Sequence, residues 1–134
     1  MRSVNKVILV GRVAADPEVR KTPKGEALAS FPIAVNRDTS SLTGEPKKAV
    51  DFHRIICFRK LADVAAQYFL KGTGLYIEGR LQNRSYEKPD GTKHYMTEIV
   101  AETINVLVWK KREDGTHEVS VAEPDEEMKD VIGA

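Results

Sequence analysis

The sequence is poor in cysteine and has no long apolar run. Its single cysteine, Cys57, excludes an intramolecular disulfide and any zinc site built on two or more thiolates. No apolar stretch approaches the roughly 18 residues that a membrane-spanning helix needs. Apolar alternation begins already at Val4, which leaves no room for a cleavable leader. These features predict an intracellular, soluble protein.

The size and composition are those of one globular domain. The chain has 134 residues, of which 41% are hydrophobic and 31% charged. That composition excludes a wholly disordered chain, a collagen and a disulfide scaffold. A chain of this length can bury a real core but is too short for two domains.

Positive and negative charge are unevenly distributed along the chain. Residues 1–112 hold 20 Lys and Arg against 12 Asp and Glu, a net charge of +8, whereas residues 113–134 hold one lysine and eight acids, a net charge of −7. The asymmetry predicts a basic body that meets an anion, followed by an acidic tail. A tail that only aids solubility is equally consistent with the charges. We therefore expect a folded domain at 1–110 and a short acidic tail at 111–134, with a small hairpin at 107–121.

Apolar residues recur mostly with a period of two, which indicates strands. One segment, residues 60–71, has helical spacing instead, with Leu61, Val64, Ala65 and Tyr68 forming a stripe that stops before Gly72. The strand order predicts an all-β fold with one helix: a five-stranded Greek-key OB-fold barrel with the helix between strands three and four. An isolated antiparallel sheet with a packed helix is the alternative. The five predicted strands are 4–11, 27–35, 50–58, 75–81 and 94–108.

Three turn or edge features accompany these strands. Pro32 lacks an amide hydrogen, so its strand should run at an edge or a bulge there. Residues 37–49 are polar and predict a long, mobile loop with a basic tip. The pair Asp90–Gly91 favours a tight hairpin between the last two strands.

Aromatic and basic residues interleave in a way that is typical of single-stranded nucleic-acid binding. Phe52, Arg54 and Phe58 share one face of the third strand, while Ile55 and Cys57 on the other face can fill the core. Unpaired bases stack on rings while cations neutralise phosphates. A plain core role for the two phenylalanines is the alternative, but an arginine between them is costly to bury. The candidate stacking residues are Phe52, Phe58 and Tyr86; the candidate phosphate-binding cations are Lys6, Arg12, Lys47, Lys48, Arg54, Lys60, Lys71, Arg80, Arg84 and Lys88.

The sequence carries no enzyme signature. Cys57 and His53 share a strand face but lie too far apart for a nucleophile and its base, and Cys57 is better explained as a small buried residue. The three histidines lie on separate segments without metal-ligand spacing, so we expect no metal site and no cofactor. The turn at 72–74 lacks the lysine and hydroxyl residue of a phosphate-binding loop.

Several motifs together resemble the bacterial-type single-stranded DNA-binding proteins. The resemblance covers residues 3–107 in the family's order. Its motifs are Val4-Asn5-Lys6-Val7-Ile8-Leu9-Val10-Gly11-Arg12, Asp16-Pro17-Glu18-Val19-Arg20, Phe52-His53-Arg54-Ile55-Ile56-Cys57-Phe58, Lys60-Leu61-Ala62, Tyr68-Phe69-Leu70-Lys71-Gly72 and Tyr76-Ile77-Glu78-Gly79-Arg80-Leu81.

The resemblance implies a homotetramer that binds single-stranded DNA without sequence preference in replication, recombination and repair. It implies a cytoplasmic, nucleoid-associated location. The family's stacking positions match Phe52, Phe58 and Tyr86, whereas the stacking ring common near residues 37–39 is absent here. The resemblance also implies that His53 and Tyr76 lie at subunit contacts. A primosome-type OB-fold protein that acts as a dimer in replication restart is the alternative function.

In this family an acidic tail ending in phenylalanine recruits replication and repair proteins. The corresponding residues here, 124–134, are acidic, but no phenylalanine closes them. Met128, Val131 and Ile132 would have to supply the apolar part of such a contact. Recruitment of partners through this tail is therefore a hypothesis that the resemblance raises.

Overall fold

The computed structural model describes residues 1–38 and 48–110, without the side chains of Asp38 and Lys48, and most of these described residues lie in strands. Within those ranges there is one α-helix. No helix there is long and apolar enough to cross a membrane. The elements in chain order are β1 (Val7–Val13), β2 (Glu18–Lys21), β3 (Ala27–Asp38), β4 (Lys48–Phe58), α1 (Lys60–Tyr68), β5 (Gly74–Glu87) and β6 (Lys93–Val108).

The strands close into a barrel. Their order in the sheet is β1-β5-β6-β4-β3-β2, and β1 also pairs with β3, which closes the barrel and leaves β2 paired only at its edge. Neighbours are antiparallel except β4 and β6, which run parallel where Ile55 lies opposite Ile99. This arrangement confirms the predicted OB-fold. Only the short β2 was not predicted as a strand, because its four residues are all exposed and show no apolar alternation.

The core lies inside this barrel and beneath α1. Every strand except β2 contributes residues to it, among them Phe31, Ile55 and Ile77, which are fully buried. Cys57 is also fully buried, and loss of hydration raises the pKa of its thiol to about 12. The expectation that this cysteine acts as a small core residue is confirmed.

Pro32 sits where β3 changes partners. Residues 27–30 of β3 pair with β2, and residues 33–34 pair with β1. The Pro32 carbonyl accepts a hydrogen bond from the amide of Ala14 at 2.8 Å, so its backbone points into the gap between the two partners. The missing amide hydrogen of Pro32 therefore costs no backbone hydrogen bond between neighbouring strands. This agrees with the predicted edge or bulge at Pro32.

The helix carries the predicted apolar stripe but ends three residues early. It was expected to continue to Lys71, whereas α1 ends at Tyr68 and Phe69 adopts an extended backbone. Because the backbone leaves the helix at Phe69, the ring of this residue is buried in the core, where it packs edge-on against Phe31 with 5.9 Å between the ring centroids. Burial of this ring outweighs the extra helical hydrogen bonds that a longer helix would make.

The β5–β6 hairpin is longer than predicted and extends beyond the barrel. Its turn has the expected form, with Gly91 at φ 88° and the Lys88 amide donating to the carbonyl of Thr92 at 2.9 Å. The register shifts between Glu78 and Gly79. At that point a side chain on Gly79 would overlap the carbonyl oxygen of Val100, so only glycine lets the strands approach.

The predicted loop at 37–49 is shorter than expected, because β3 runs through Asp38 and β4 starts at Lys48, with Arg37 opposite Ala49. Residues 39–47, including Lys47, lie outside the described residues. The acidic tail at 111–134 and most of the hairpin expected at 107–121 lie outside them as well.

Candidate nucleic-acid interface

One surface of the barrel brings the predicted aromatic and basic residues together. Along β4, the fully buried Ile55 and Cys57 face the core, so Phe52, Arg54 and Phe58 face outward. The unbroken register of β4 with β3 keeps this alternation along the whole strand. The predicted division of β4 into a core face and an outer face is confirmed.

The register places three residues of β5 on this same surface. Ile56 of β4 lies opposite Val100 of β6, and Val100 lies opposite Arg80 of β5. Paired residues project from the same side of a sheet. Farther along the hairpin, the alternation brings Arg84 and Tyr86 to that side too. We call this surface the open face, defined by Phe52, Arg54, Phe58, Arg80, Arg84 and Tyr86.

Two of the three rings on the open face are well exposed. Phe52 is 65% exposed and Tyr86 is 43% exposed, whereas Phe58 is half-buried. The Tyr86 ring stacks on the imidazole of His94, with centroids 5.6 Å apart and planes inclined by 25°. Both exposed rings can therefore offer a flat surface to a base.

The arginines between the rings are bound to a buried acid. Glu98 of β6 is 2% exposed and lies on the open face. Arg54 donates from Nε to its carboxylate at 2.9 Å, and Nε of Arg84 lies 3.2 Å from the second oxygen. Arg54 was predicted to bind phosphate. In the structure its side chain is partly buried, because Glu98 compensates its charge in place of water.

Glu98 is the residue of this surface that sequence reasoning missed. It is an acid at the centre of an apolar strand, between Thr97 and Ile99. Its outward position follows from the alternation with Ile99, which lies in the core. That alternation was the signal in the sequence for the outward position of Glu98. The need of a buried acid for a cation would then have indicated its pairing with the arginines of the same surface.

Other predicted cations come from different elements. Lys6 precedes β1 and binds Glu78 at 3.0 Å, and Arg12 donates to the carbonyl of Gly72 at 2.9 Å. Lys71 lies in the α1–β5 connection, where its amide donates to Asp16. Lys60 starts α1 and has an interaction partner in the structure. None of these four cations lies on β4, β5 or β6, the strands of the open face, and Lys88 lies at the exposed turn of the β5–β6 hairpin.

The two predicted contact residues for subunits lie apart from each other. His53 is half-buried beside Phe52 and Arg54, where it lines a shallow recess of about 310 Å³. Tyr76 lies on β5 opposite Val10 of β1. Its hydroxyl donates to Glu78 at 2.6 Å, and this bond raises the pKa of Tyr76.

Tyr76 belongs to a second outer surface, which we call the β1 face. It consists of Lys6, Ile8, Val10, Tyr76 and Glu78, with Ile8 opposite Glu78 in the sheet. Ile8 and Val10 are each 55% exposed. The β1 face is therefore largely apolar, with one charged pair at its end.

The described ranges contain no group of three or more His, Cys, Asp or Glu side chains that could hold a metal ion. The polar groups of the open face are guanidiniums paired with one carboxylate, together with imidazole and phenol rings. Such a set can bind anions and stack with planar groups.

Comparison with known proteins agrees with this chemistry. A sequence model of the single-strand binding protein family matches residues 4–107. Two proteins from Neisseria meningitidis strains, each named single-stranded DNA-binding protein, are 40% identical over 113 residues, which is 84% of this chain and 65% of theirs. Single-stranded DNA-binding protein 1 of Chlorobaculum tepidum is 38% identical over 123 residues, covering 91% of this chain and 76% of that protein.

A solved structure is similar over most of the chain. It is a Plasmodium falciparum SSB complex with ssDNA, and it superimposes with a TM-score of 0.71 at 27% sequence identity. The superposition covers 82% of this chain and 98% of that one. The chain thus matches nearly the whole of that solved chain. It spans just under two thirds of the length of the Neisseria relatives.

Proposed function

Because the chain belongs to the single-strand binding protein family, we propose that it binds single-stranded DNA without sequence preference. In this role it protects and organises exposed strands during replication, recombination and repair. The observation that carries the proposal is the open face, where exposed rings alternate with guanidiniums on one continuous sheet surface.

The mechanism combines stacking with charge neutralisation. Bases stack on Phe52 and Tyr86, with Phe58 as a third, more buried ring, and each stacked base contributes about 1–3 kcal/mol. Arg80 and the flanking lysines neutralise phosphates and release bound cations, so affinity falls as salt rises. A duplex hides its base faces in stacked pairs and gains little from these rings. Binding should therefore favour single strands over duplexes.

The β1 face supports assembly of several chains. Exposed apolar side chains beside Tyr76 lose contact with water when two copies meet, which favours association. His53 lies beside Phe52, so an assembly contact there would also border the DNA-binding surface. We propose a homotetramer. A dimer would instead favour the replication-restart role of a primosome-type protein.

The proposed role has no chemical step. Binding through rings and cations requires neither a metal nor a cofactor. Incubation of labelled single-stranded DNA with the protein and Mg²⁺ should leave the strand intact, and turnover would contradict this part of the proposal. Recruitment of replication or repair proteins by the acidic tail is tested separately by a pull-down with residues 123–134 deleted, in which partners should be lost.

The proposal is tested by titrating a labelled oligo(dT) with the full chain while anisotropy is recorded. Light scattering on the same samples gives the mass of the complex, and a duplex of equal length is the matched control. We expect saturable binding to oligo(dT) by a particle of four chains, reversal by salt, and much weaker binding to the duplex. A folded oligomer that does not bind oligo(dT) at low salt would refute the proposed function.

A further inference from the structure

Glu98 stands out among the residues of the open face. Among the side chains that the structure describes, those of residues 1–37 and 49–110, it is the only charged one that is almost fully buried, at 2% exposure. It does not belong to the core inside the barrel, because it projects from the outer side of β6. A buried carboxylate is costly unless cations and hydrogen-bond donors surround it. Its position therefore requires partners on the same surface.

Those partners are two arginines from two other strands. Oε2 of Glu98 accepts from Nε of Arg54 at 2.9 Å and from a terminal nitrogen of Arg84 at 3.2 Å, and Oε1 lies 3.2 Å from Nε of Arg84. The remaining terminal contacts run to Ser30 Oγ at 3.3 Å from Arg54 and to Met96 Sδ at 3.2 Å from Arg84. Each guanidinium is thus held at more than one nitrogen, which fixes the orientation of its plane.

The charges of this cluster do not cancel. Two guanidiniums and one carboxylate leave a net charge of +1 on the open face. Both arginines remain partly exposed, at 36% and 50% of their side-chain surface for Arg54 and Arg84. They can therefore still meet a ligand from the solvent side while Glu98 holds them from below.

Resting on the proposed function, we infer that Glu98 is a positioning residue for DNA binding. It holds Arg54 and Arg84 as one ordered unit that attracts phosphate with a single net charge. The two guanidinium planes are then fixed beside the stacked bases, and the pair neutralises one phosphate charge instead of two. Glu98 in this way limits the salt dependence of binding.

The salt dependence separates this role from a purely structural one. For single strands, the slope of log affinity against log salt changes by about 0.7 for each phosphate neutralised. Glu98→Gln keeps the shape of the side chain but removes its charge, so the cluster rises from +1 to +2. We expect the slope to become steeper by about 0.7, with tighter binding at low salt. A residue that only stabilised the barrel would change the melting temperature and leave the slope alone.

Two matched variants sharpen the measurement. Glu98→Asp keeps the charge but is one methylene shorter, so we expect the wild-type slope with weaker binding at every salt concentration. Glu87→Gln removes an acid from the opposite, exposed side of the same hairpin, where water screens it. We expect this control to bind like the wild type.

The experiment titrates labelled oligo(dT) with the full chain over a series of sodium chloride concentrations, after melting curves and light scattering of each variant. An unchanged slope in folded Glu98→Gln, or an equal steepening in Glu87→Gln, would overturn the inference. If Glu98→Gln does not fold, the salt slopes of Arg84→Gln and of the double variant Arg84→Gln/Glu98→Gln test the inference instead. The inference predicts a shallower slope for the first and a wild-type slope for the second, and equal slopes in the two would refute it. Wild-type protein that fails to bind oligo(dT) would refute the proposed function itself, whereas wild-type binding with the wrong variant slopes refutes only the role of Glu98.

Discussion

The open face and the β1 face each carry a glutamate bound to cations or hydroxyls, but the two carboxylates differ in burial. Glu98 on the open face is almost fully buried and binds two arginines, whereas Glu78 on the β1 face is 30% exposed and binds Lys6 and Tyr76. Around Glu98 the exposed neighbours are rings and guanidiniums. Around Glu78 they are the apolar side chains of Ile8 and Val10.

The difference indicates two kinds of binding surface on one barrel. A buried acid fixes its cations in place, because separating the charges would leave Glu98 unpaired away from water. An exposed pair such as Lys6 and Glu78 is screened and contributes little to stability. The open face therefore presents ordered guanidiniums beside exposed rings, which suits the anion binding and base stacking that we propose for it. The β1 face offers apolar area, which suits contact with another protein chain.

The largest effect is expected from a charge placed on the β1 face. Ile8→Asp would put an unpaired carboxylate into the proposed subunit contact, where burial costs several kcal/mol. We expect the particle to lose subunits, as measured by light scattering. Val19→Asp is the matched control, because Val19 is equally exposed, at 56%, but lies on β2. Equal masses for wild type and Ile8→Asp would mean that the β1 face is not a contact between subunits.

A smaller but clear effect is expected from removing a ring of the open face. Phe52→Ala should weaken oligo(dT) binding by about 1–3 kcal/mol, or roughly 5- to 150-fold, with little change in the salt slope. Tyr95→Ala is the control, since Tyr95 is 78% exposed but alternates with His94 and so projects from the other side of β6. Anisotropy titration measures both. If Tyr95→Ala loses as much affinity as Phe52→Ala, the bases do not contact the open face selectively.

The smallest effect concerns the charged pair of the β1 face. The Tyr76 hydroxyl and the Lys6 ammonium hold the pKa of Glu78 below its ordinary value of 4.5. A carboxyl with a lowered folded pKa stabilises the fold above the ordinary pKa and loses that contribution as pH falls through the folded value. We expect the melting temperatures of wild type and Glu78→Gln to differ slightly near neutral pH and to converge as pH falls below 4.5 and through the lowered pKa of Glu78. Thermal melts across this pH range measure the difference, and a constant difference at all pH values would contradict the account.

Much of the barrel follows from local sequence patterns. The alternation in β4 separates Phe52 from Ile55 correctly, and Asp90–Gly91 marks the hairpin turn. Features decided by distant contacts did not follow. The helix ends early because Phe69 packs on Phe31, a residue far away along the chain.

The candidate site divides in the same way. The residue types of the open face and its strand parity were predictable from spacing alone. The ion pairing of Arg54 was not predictable, because its partner Glu98 lies 44 residues away along the chain. Glu98 also lies on β6, which meets β4 only through the parallel pairing. Local alternation shows which way a side chain points, but only the sheet order shows what it meets.

The central claim is that single-stranded DNA lies on the open face. Crosslinking tests it most directly: an oligonucleotide carrying 5-bromodeoxyuridine is bound, irradiated and mapped onto the chain by mass spectrometry. The account predicts crosslinks at Phe52 and Tyr86 that disappear at high salt, and none at Tyr95. Crosslinks confined to Tyr95 or to Tyr76, with the rings of the open face unmodified, would contradict it.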